Sequence, residues 1–389
     1  MFTKSLVVLR ITGLSFDSAG ALRWEADGGS LLSDDLPEVE WRAPSRPGCC
    51  LVKAYARGAP PVGEMPAERL VASLSIAVKE PSKEGMALIP GGEFLRGDVR
   101  GTRNVKEVKT VQNACDEPAY RVHLQSFWID RFPVTHRQYT SFLADCVAQG
   151  IARVEPIAVM GDFEGARVPF YYFQSYEKLV PYYHDARNAR KPQFLHVISH
   201  DGKDFHVRKG WEDTPVVDVS WFGAAAYARF HGKTLPSEAQ WEKAARGLDD
   251  RRYPWGNALP TSYHAPTAYY SPAQPVPVGL FSPQGDSPFG VCDMLSSSFE
   301  WTGDWFNPTY YEDYRGEAPL RDPQGPFWGR AHVIKGLPYG FDFPQSAFDD
   351  TEPVSNRYSW FFEFQIGDAF ANRNTTFRTA LAAEEDEAR

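Results

Sequence analysis

Cysteine is scarce in this chain, long apolar runs are missing, and positive charge is in the minority. Five cysteines in 389 residues, Cys49, Cys50, Cys115, Cys146 and Cys292, are too few and too scattered for a small disulfide-stapled scaffold and point to a reducing compartment. No apolar stretch approaches the ~20 residues that cross a bilayer. The opening MFTKSLVVLRITGL carries Lys4 and Arg10 in its short apolar run, so neither a membrane span nor a signal peptide is expected. Lys and Arg number 41 against 50 Asp and Glu, a formal charge of −9. Without a cationic run nothing displaces counterions from a phosphate backbone, and nucleic acid is not the expected partner. A nucleophile elbow, a P-loop and a dinucleotide fingerprint are also missing.

What is present is apolar and aromatic: 43% hydrophobic and 14% aromatic residues, enough for roughly two or three domains with real cores and too much for a disordered chain. Residues 1–80 read as short extended segments (Leu6 to Ile11, Leu22 to Trp24, Cys50 to Tyr55, Leu70 to Val78) split by Gly, Pro and Ser clusters. A small β-rich domain is expected there, with a charged, proline-broken linker over 81–85. From Met86 the texture changes. Ala87 to Phe94 reads as strand and turn, and Tyr120, Val122 and Leu124 alternate with polar residues. A helix is expected after Thr135, where Thr135 and Gln138 form a capping box. A second should follow Ser220 with Phe222, Ala225, Ala226, Arg229 and Phe230 on one face. A third, capped by Ser237 with Gln240, should turn Trp241, Ala244 and Ala245 inward and stop at Gly247. Residues 382–389 read as an acidic tail.

Seven stretches in order, Ile89 to Phe94 (IPGGEF), Asp116-Glu117-Pro118, Phe127 to Tyr139 (FWIDRFPVTHRQY), Thr214 to Trp221 (TPVVDVSW), Gly232 to Gly247 (GKTLPSEAQWEKAARG), Tyr253 to Asn257 (YPWGN) and Phe289 to Trp305 (FGVCDMLSSSFEWTGDW), resemble the formylglycine-generating-enzyme, or sulfatase-modifying-factor, domain superfamily. The resemblance spans about residues 86–381 and implies an α+β, C-type-lectin-like fold with much irregular backbone. Trp221, Trp241, Trp255, Trp301 and Trp305 are then expected as core.

Catalytic members of that superfamily hold copper through two thiolates near the C-terminal end of the domain, soft ligands suited to Cu(I). No cysteine follows Cys292 here, so no copper is expected and no cofactor is required. A second branch builds an iron site on H-x-x-x-H-x-E. His196 and His200 keep the spacing, but Gly202 replaces the carboxylate. The flanking residues read as a hairpin, on which positions four apart lie ~13 Å from each other. The resemblance also implies a calcium site at Asp293, Ser296, Ser298 and Glu300, hard oxygens suited to that ion. The usual Gly-Asn of its loop has become Ser296-Ser297.

The largest departure lies in 333–381. Where relatives read G-G-S-W or G-G-S-Y, this chain has Gly336-Leu337-Pro338-Tyr339-Gly340-Phe341-Asp342-Phe343. One branch, the variable proteins of diversity-generating retroelements, displays a hypervariable surface at this location. Adenine-directed mutagenesis of Asn codons there yields Tyr, Phe, Asp, Ser, Leu, Pro and Gly, and all seven residues from Leu337 to Phe343 fall in that set. Exposed aromatics give stiff contact area at low entropy cost. Leu337, Pro338, Tyr339, Phe341, Asp342, Phe343, Asp349, Asp350, Tyr358 and Ser359 are therefore the expected contacts to a protein or cell-surface ligand, and the chain is expected not to be an enzyme. Two other readings stay open: a redox or metal-dependent modifying enzyme built on Cys292 or the histidines, and a structural pseudoenzyme docked through residues 1–80. A cytoplasmic or phage-particle location, or display by an uncleaved route, fits either way.

Overall fold

The computed structural model divides into two compact units, Met1–Ser82 and Lys83–Arg389. It describes residues 82–97, 119–173, 197–265, 276–295, 298–307, 310–311, 318–336 and 375–384 in full, and the backbone of the strands within 6–78 and of Arg357–Tyr358. In the first unit the extended segments form two three-stranded sheets. The longest strands, Gly48–Arg57 and Glu68–Val78, pair antiparallel from Gly48 opposite Val78 to Arg57 opposite Glu68.

The second unit is a mixed α/β structure in which, among the described residues, three helices pack on several sheets of two to four strands. Helix α1 (His136–Ala148) begins at the expected capping box: the Gln138 backbone N–H donates to Thr135 Oγ1, and the Thr135 backbone N–H donates back to Gln138 Oε1. Helix α3 (Glu238–Arg246) has the same box at Ser237 and Gln240 and stops at Gly247, φ 80°. Strand Tyr120–Leu124 alternates as expected, and Ile198–His200 pairs with Phe205–Val207 as a hairpin.

Helix α2 (Trp221–Phe230) turns a different face inward from the one expected. Its buried residues are Gly223, Ala224, Ala225, Tyr227 and Ala228, whereas Arg229 reaches outward to Glu164 and Phe230 is 37% exposed. The cause is contact distance. At Gly223 the helix lies against Phe170 and Tyr139 so closely that no side chain fits. A Cβ on Gly223 would stand 2.1 Å from the Phe170 carbonyl oxygen and 2.4 Å from Tyr139 Oη, and Tyr139 Oη itself donates to that carbonyl at 2.9 Å. Around Tyr139 the rings of Phe142, Tyr227 and Phe377 lie at 5.3, 5.8 and 5.9 Å in tilted, stacked and edge-on contact. The end of the chain also differs. Ala380–Ala382 is a strand with Ala382 opposite Phe127, so the acidic tail starts later than residue 382. Its apolar partner strand, not its own composition, draws Ala382 into pairing.

His136, at the first position of α1, is fully buried. The Thr214 hydroxyl donates to the Trp211 carbonyl at 2.9 Å, so it can only accept from His136 Nδ1, also at 2.9 Å. That assigns the ring proton to Nδ1 and leaves Nε2 buried with no hydrogen-bond partner among the described residues. Burial, opposed by the bonds to Thr214 and Trp211, lowers its pKa from 6.5 to about 3.

Two outcomes follow from this packing. Gly223→Ala should cost about 3 kcal/mol of unfolding free energy by overpacking, measured by urea denaturation. For His136 the folded pKa is depressed, so the unfolded chain binds the extra proton. Its contribution is complete above pH 6.5 and is lost as pH falls toward 3, on the order of 5 kcal/mol in all. His136→Asn should flatten the stability difference between pH 7 and pH 5, and identical slopes in the two proteins would contradict this assignment.

Candidate functional site

The site is built around strand Phe299–Trp305, the second of three consecutive neighbours in the four-stranded sheet. His332–Lys335 runs antiparallel on one side and Thr375–Phe377 parallel on the other. Glu300 sits between them, opposite both Lys335 and Thr376, and is buried. Its Oε2 accepts from Trp241 Nε1 at 2.8 Å and from Arg378 Nε at 2.7 Å, and its Oε1 accepts from Arg378 Nη2 at 2.7 Å. Arg378 spends its remaining N–H groups on three backbone carbonyls: Nη1 on Asp130 and Arg131 at 2.9 and 3.1 Å, Nη2 on Cys292 at 3.0 Å. All five donors of a fully buried guanidinium are therefore used. Desolvation works against its charge, but Glu300 more than compensates and raises its pKa.

A second buried network adjoins it on α3. Glu238, Glu242 and Arg246 are inside the protein, with Arg96 and Lys335 facing them. Arg96 pairs with Glu238, while Glu242 accepts from Lys335 Nζ at 3.1 Å and from the Gly97 N–H at 2.8 Å and lies 3.3 Å from Arg246 Nη2. Burial pushes the Glu242 carboxyl up, yet Lys335, Arg246 and Arg96 together hold it below the ordinary value. The Arg96 guanidinium also lies 4.0 Å from the Tyr311 ring centroid, a desolvated cation–π contact. The sequence marked α3 correctly for Trp241, Ala244 and Ala245 and gave no sign that its charges are buried. Nothing local distinguishes a buried glutamate from an exposed one, because the partners lie in other elements.

The expected ligand contacts Leu337, Pro338, Tyr339, Phe341, Asp342, Phe343, Asp349, Asp350 and Ser359 lie outside the described residues. Tyr358 falls on strand Arg357–Tyr358, opposite Ile334, with its side chain outside the description. Both approaches to this segment are described. Lys335 and Gly336 (φ 86°) precede it and Thr375 follows it, on the two strands flanking Glu300. The entry and exit of segment 337–374 thus lie two strand spacings apart, about 10 Å.

Among the expected calcium ligands, Ser296 lies outside the described residues. Asp293 is buried, takes φ 59° and accepts from the Gly279 N–H at 2.6 Å. Ser298 and Glu300 are buried beside it in the chain. Burial, with Glu300 and Asp286 adding to it and the Gly279 N–H and Arg378 opposing, raises the Asp293 carboxyl to about 6. No group of three or more His, Cys, Asp or Glu able to hold a metal occurs among the described residues. His196 lies outside them. His206 Nε2 donates to the Asp201 carboxylate at 2.8 Å, and His200 faces Phe205.

Both described cysteines are buried. Burial, followed by a hydrogen bond to Asp286, pushes the Cys292 thiol up to about 11, and burial pushes Cys146 to about 12. Such thiols stay protonated and are poor nucleophiles and poor metal ligands. Of the five tryptophans expected as core, Trp241 and Trp301 are fully buried, while Trp221, Trp255 and Trp305 are half-buried. Trp221 and Trp305 sandwich His332 at 3.6 and 3.8 Å. One exposed feature went unmarked in the sequence: Phe327 and Trp328, 98% and 72% exposed, on a turn where Gly329 approaches Trp305 too closely for a side chain. The adjacent Pro326 and Gly329 were the local signal.

A mixed α/β scaffold with few helices, a Trp-Glu-Arg core and a long C-terminal segment entering and leaving beside it is the class that fold and site define. Residues 72–380 match the sulfatase-modifying factor enzyme 1-like domain, and the chain belongs to that family. It is 31% identical over 291 residues to a formylglycine-generating enzyme of Streptomyces coelicolor, covering 68% of this chain and 81% of that protein. It is 30% identical over 239 residues to a hercynine oxygenase of Mycolicibacterium smegmatis, covering 58% of this chain and 48% of that one. Among solved structures, PvdO from Pseudomonas aeruginosa superposes with a TM-score of 0.47 at 19% identity, covering 79% of this chain and all of PvdO.

The thiol environments predict slow chemistry. In the native protein at pH 8, Cys146 and Cys292 should resist alkylation by iodoacetamide, and unfolding in urea should release both, as read by peptide mass spectrometry. Rapid native labelling of Cys292 would show a reactive thiol.

Proposed function

We propose that this chain is a non-catalytic ligand-binding protein. In this reading a C-type-lectin-like scaffold, preceded by a small β-rich domain, presents a variable surface over 337–359 to a protein or cell-surface ligand, as in the variable proteins of diversity-generating retroelements. The observation that carries the reading is a scaffold kept while its thiolate chemistry is gone. No cysteine follows Cys292, so the copper pair of the catalytic relatives has no counterpart. A second support is the anchoring of segment 337–374 on both sides of Glu300. Lys335 is held by Glu242 before it and Arg378 by Glu300 after it. A segment whose two ends are fixed by buried charge can change sequence between them without moving the frame that presents it.

Under this reading Tyr339→Ala, Phe341→Ala and Phe343→Ala combined should change unfolding free energy by no more than about 2 kcal/mol, the scale of surface substitutions. Core aromatics would cost about 3–5 kcal/mol each. The purified chain, supplied with copper and oxygen, should leave a cysteine-containing peptide unoxidised. Aldehyde formation in that assay would establish the alternative, an oxidoreductase with an altered site. A large stability loss in the triple variant would place those aromatics in the core and end the binding-surface reading.

A further inference from the structure

The outer face of one small sheet takes no part in either buried network. Strand Tyr120–Leu124 is its middle member, with Gly92–Arg96 antiparallel on one side and Leu320–Arg321 parallel on the other. Side chains alternate between the faces of such a sheet. Phe94, Arg96, Tyr120, Val122 and Leu124 are buried on the inner face, which leaves Glu93, Leu95, Arg121, His123 and Arg321 on the outer one. The register sets the neighbours there. His123 lies opposite Glu93 on one side and Arg321 on the other, and Arg121 lies opposite Leu95. Arg121 is two residues before His123, so its Cα stands about 8 Å from that of Arg321, a diagonal of one strand spacing and two residue rises. Two arginine side chains starting there can meet on one ion.

The charges on this face are not spent. Elsewhere on the surface arginines find carboxylates, as Arg137 does at Asp213, Arg167 at Glu155 and Arg229 at Glu164. Arg121 and Arg321 are exposed, and neither guanidinium has a hydrogen-bond or ion-pair partner among the described residues. This holds in a chain where Asp and Glu outnumber Lys and Arg by 50 to 41, and with Glu93 on the same face. The His123 ring between them is half-buried with Nδ1 covered and unpartnered, which leaves Nε2 as its outward nitrogen. Two planar forks and an imidazole N–H outnumber the oxygens of a carboxylate, which a single guanidinium fills. A tetrahedral group with three or more oxygens and more than one negative charge matches them. Leu95, 42% exposed beside Arg121, adds an apolar contact for a carbon skeleton carrying that group.

We propose that this face binds a tetrahedral oxyanion, a phosphate or sulfate group, between Arg121 and Arg321 with His123 Nε2 as the third donor. Glu93 bounds the site on the far side of His123 and repels the same ion. The inference is independent of the binding-surface reading, since segment 337–359 contributes nothing to it.

The test is equilibrium dialysis of the purified full chain against radioactive inorganic phosphate at constant ionic strength. One saturable site, displaced by sulfate, is expected. Arg121→Gln and Arg321→Gln should each weaken it about tenfold, the loss of one charge-assisted hydrogen bond, while Glu93→Gln should tighten it. Displacement by glycerol phosphate at lower concentration than by inorganic phosphate identifies a phosphate ester as the ligand, and the reverse order identifies the free ion; either order supports the site. Arg153 is an exposed, unpaired arginine on a different sheet and supplies the control. No saturable uptake, uptake unchanged in the double variant of Arg121→Gln and Arg321→Gln, or an equal loss in Arg153→Gln would overturn the proposal. The substituted side chains are exposed, so circular dichroism of the variants should match that of the wild type.

Discussion

The bidentate pair between Arg378 and Glu300 is the contact on which the rest of the second unit depends. Removing a guanidinium and a carboxylate from water costs several kcal/mol per ion, and only good geometry with every donor satisfied repays it. Here each N–H of Arg378 has an acceptor, and those acceptors come from the end of strand Phe127–Asp130, from the residue after it, from the loop at Cys292 and from the central strand at Glu300. Three separate stretches of chain therefore meet at one side chain carried by a fourth. Trp241 Nε1 adds helix α3 to the same carboxylate, so helix packing and sheet pairing are set by a single buried group. A pair of this kind contributes specificity: any alternative register of strand Thr375–Phe377 would leave a charge buried and alone.

The α3 network extends the same logic. Glu242 is surrounded by Lys335, Arg246 and Arg96, and its neighbour Glu238 holds Arg96 and the Tyr311 hydroxyl. The last residue of strand His332–Lys335 and the residue after strand Thr375–Phe377 are thus both fixed by ion pairs to buried glutamates. Stability then resides in the frame, with Tyr139, Trp241 and Trp301 filling the spaces between short elements. The described thiols sit in the same dry surroundings, and their raised pKa values follow from them. Both described cysteine thiols are buried and held protonated by this frame.

Much of this frame was legible before any coordinates. The capping boxes at Thr135 and Ser237, the stop at Gly247, the alternation of Tyr120–Leu124 and the hairpin at residues 198–207 all rest on interactions within a few residues, and local chemistry suffices for those. The face of α2 that carries Phe222 and Phe230 is not its most buried one, because at Gly223 the approach of Phe170 and Tyr139 leaves no room for a side chain. The bidentate partner of Glu300 was not legible from its surroundings in the chain. The arginine that pairs with Glu300 lies 78 residues away in the chain.

By itself the sequence determined where helices begin and stop, which strands alternate, and that no thiolate pair exists in the last hundred or so residues, since each of these is a property of neighbours or of composition. Tertiary structure alone decided which charges are inside. Glu242 meets Lys335 across 93 positions, and Arg96 meets Glu238 across 142. A glutamate can be buried only where folding delivers a cation to it, and the identity of that cation is written nowhere near the glutamate.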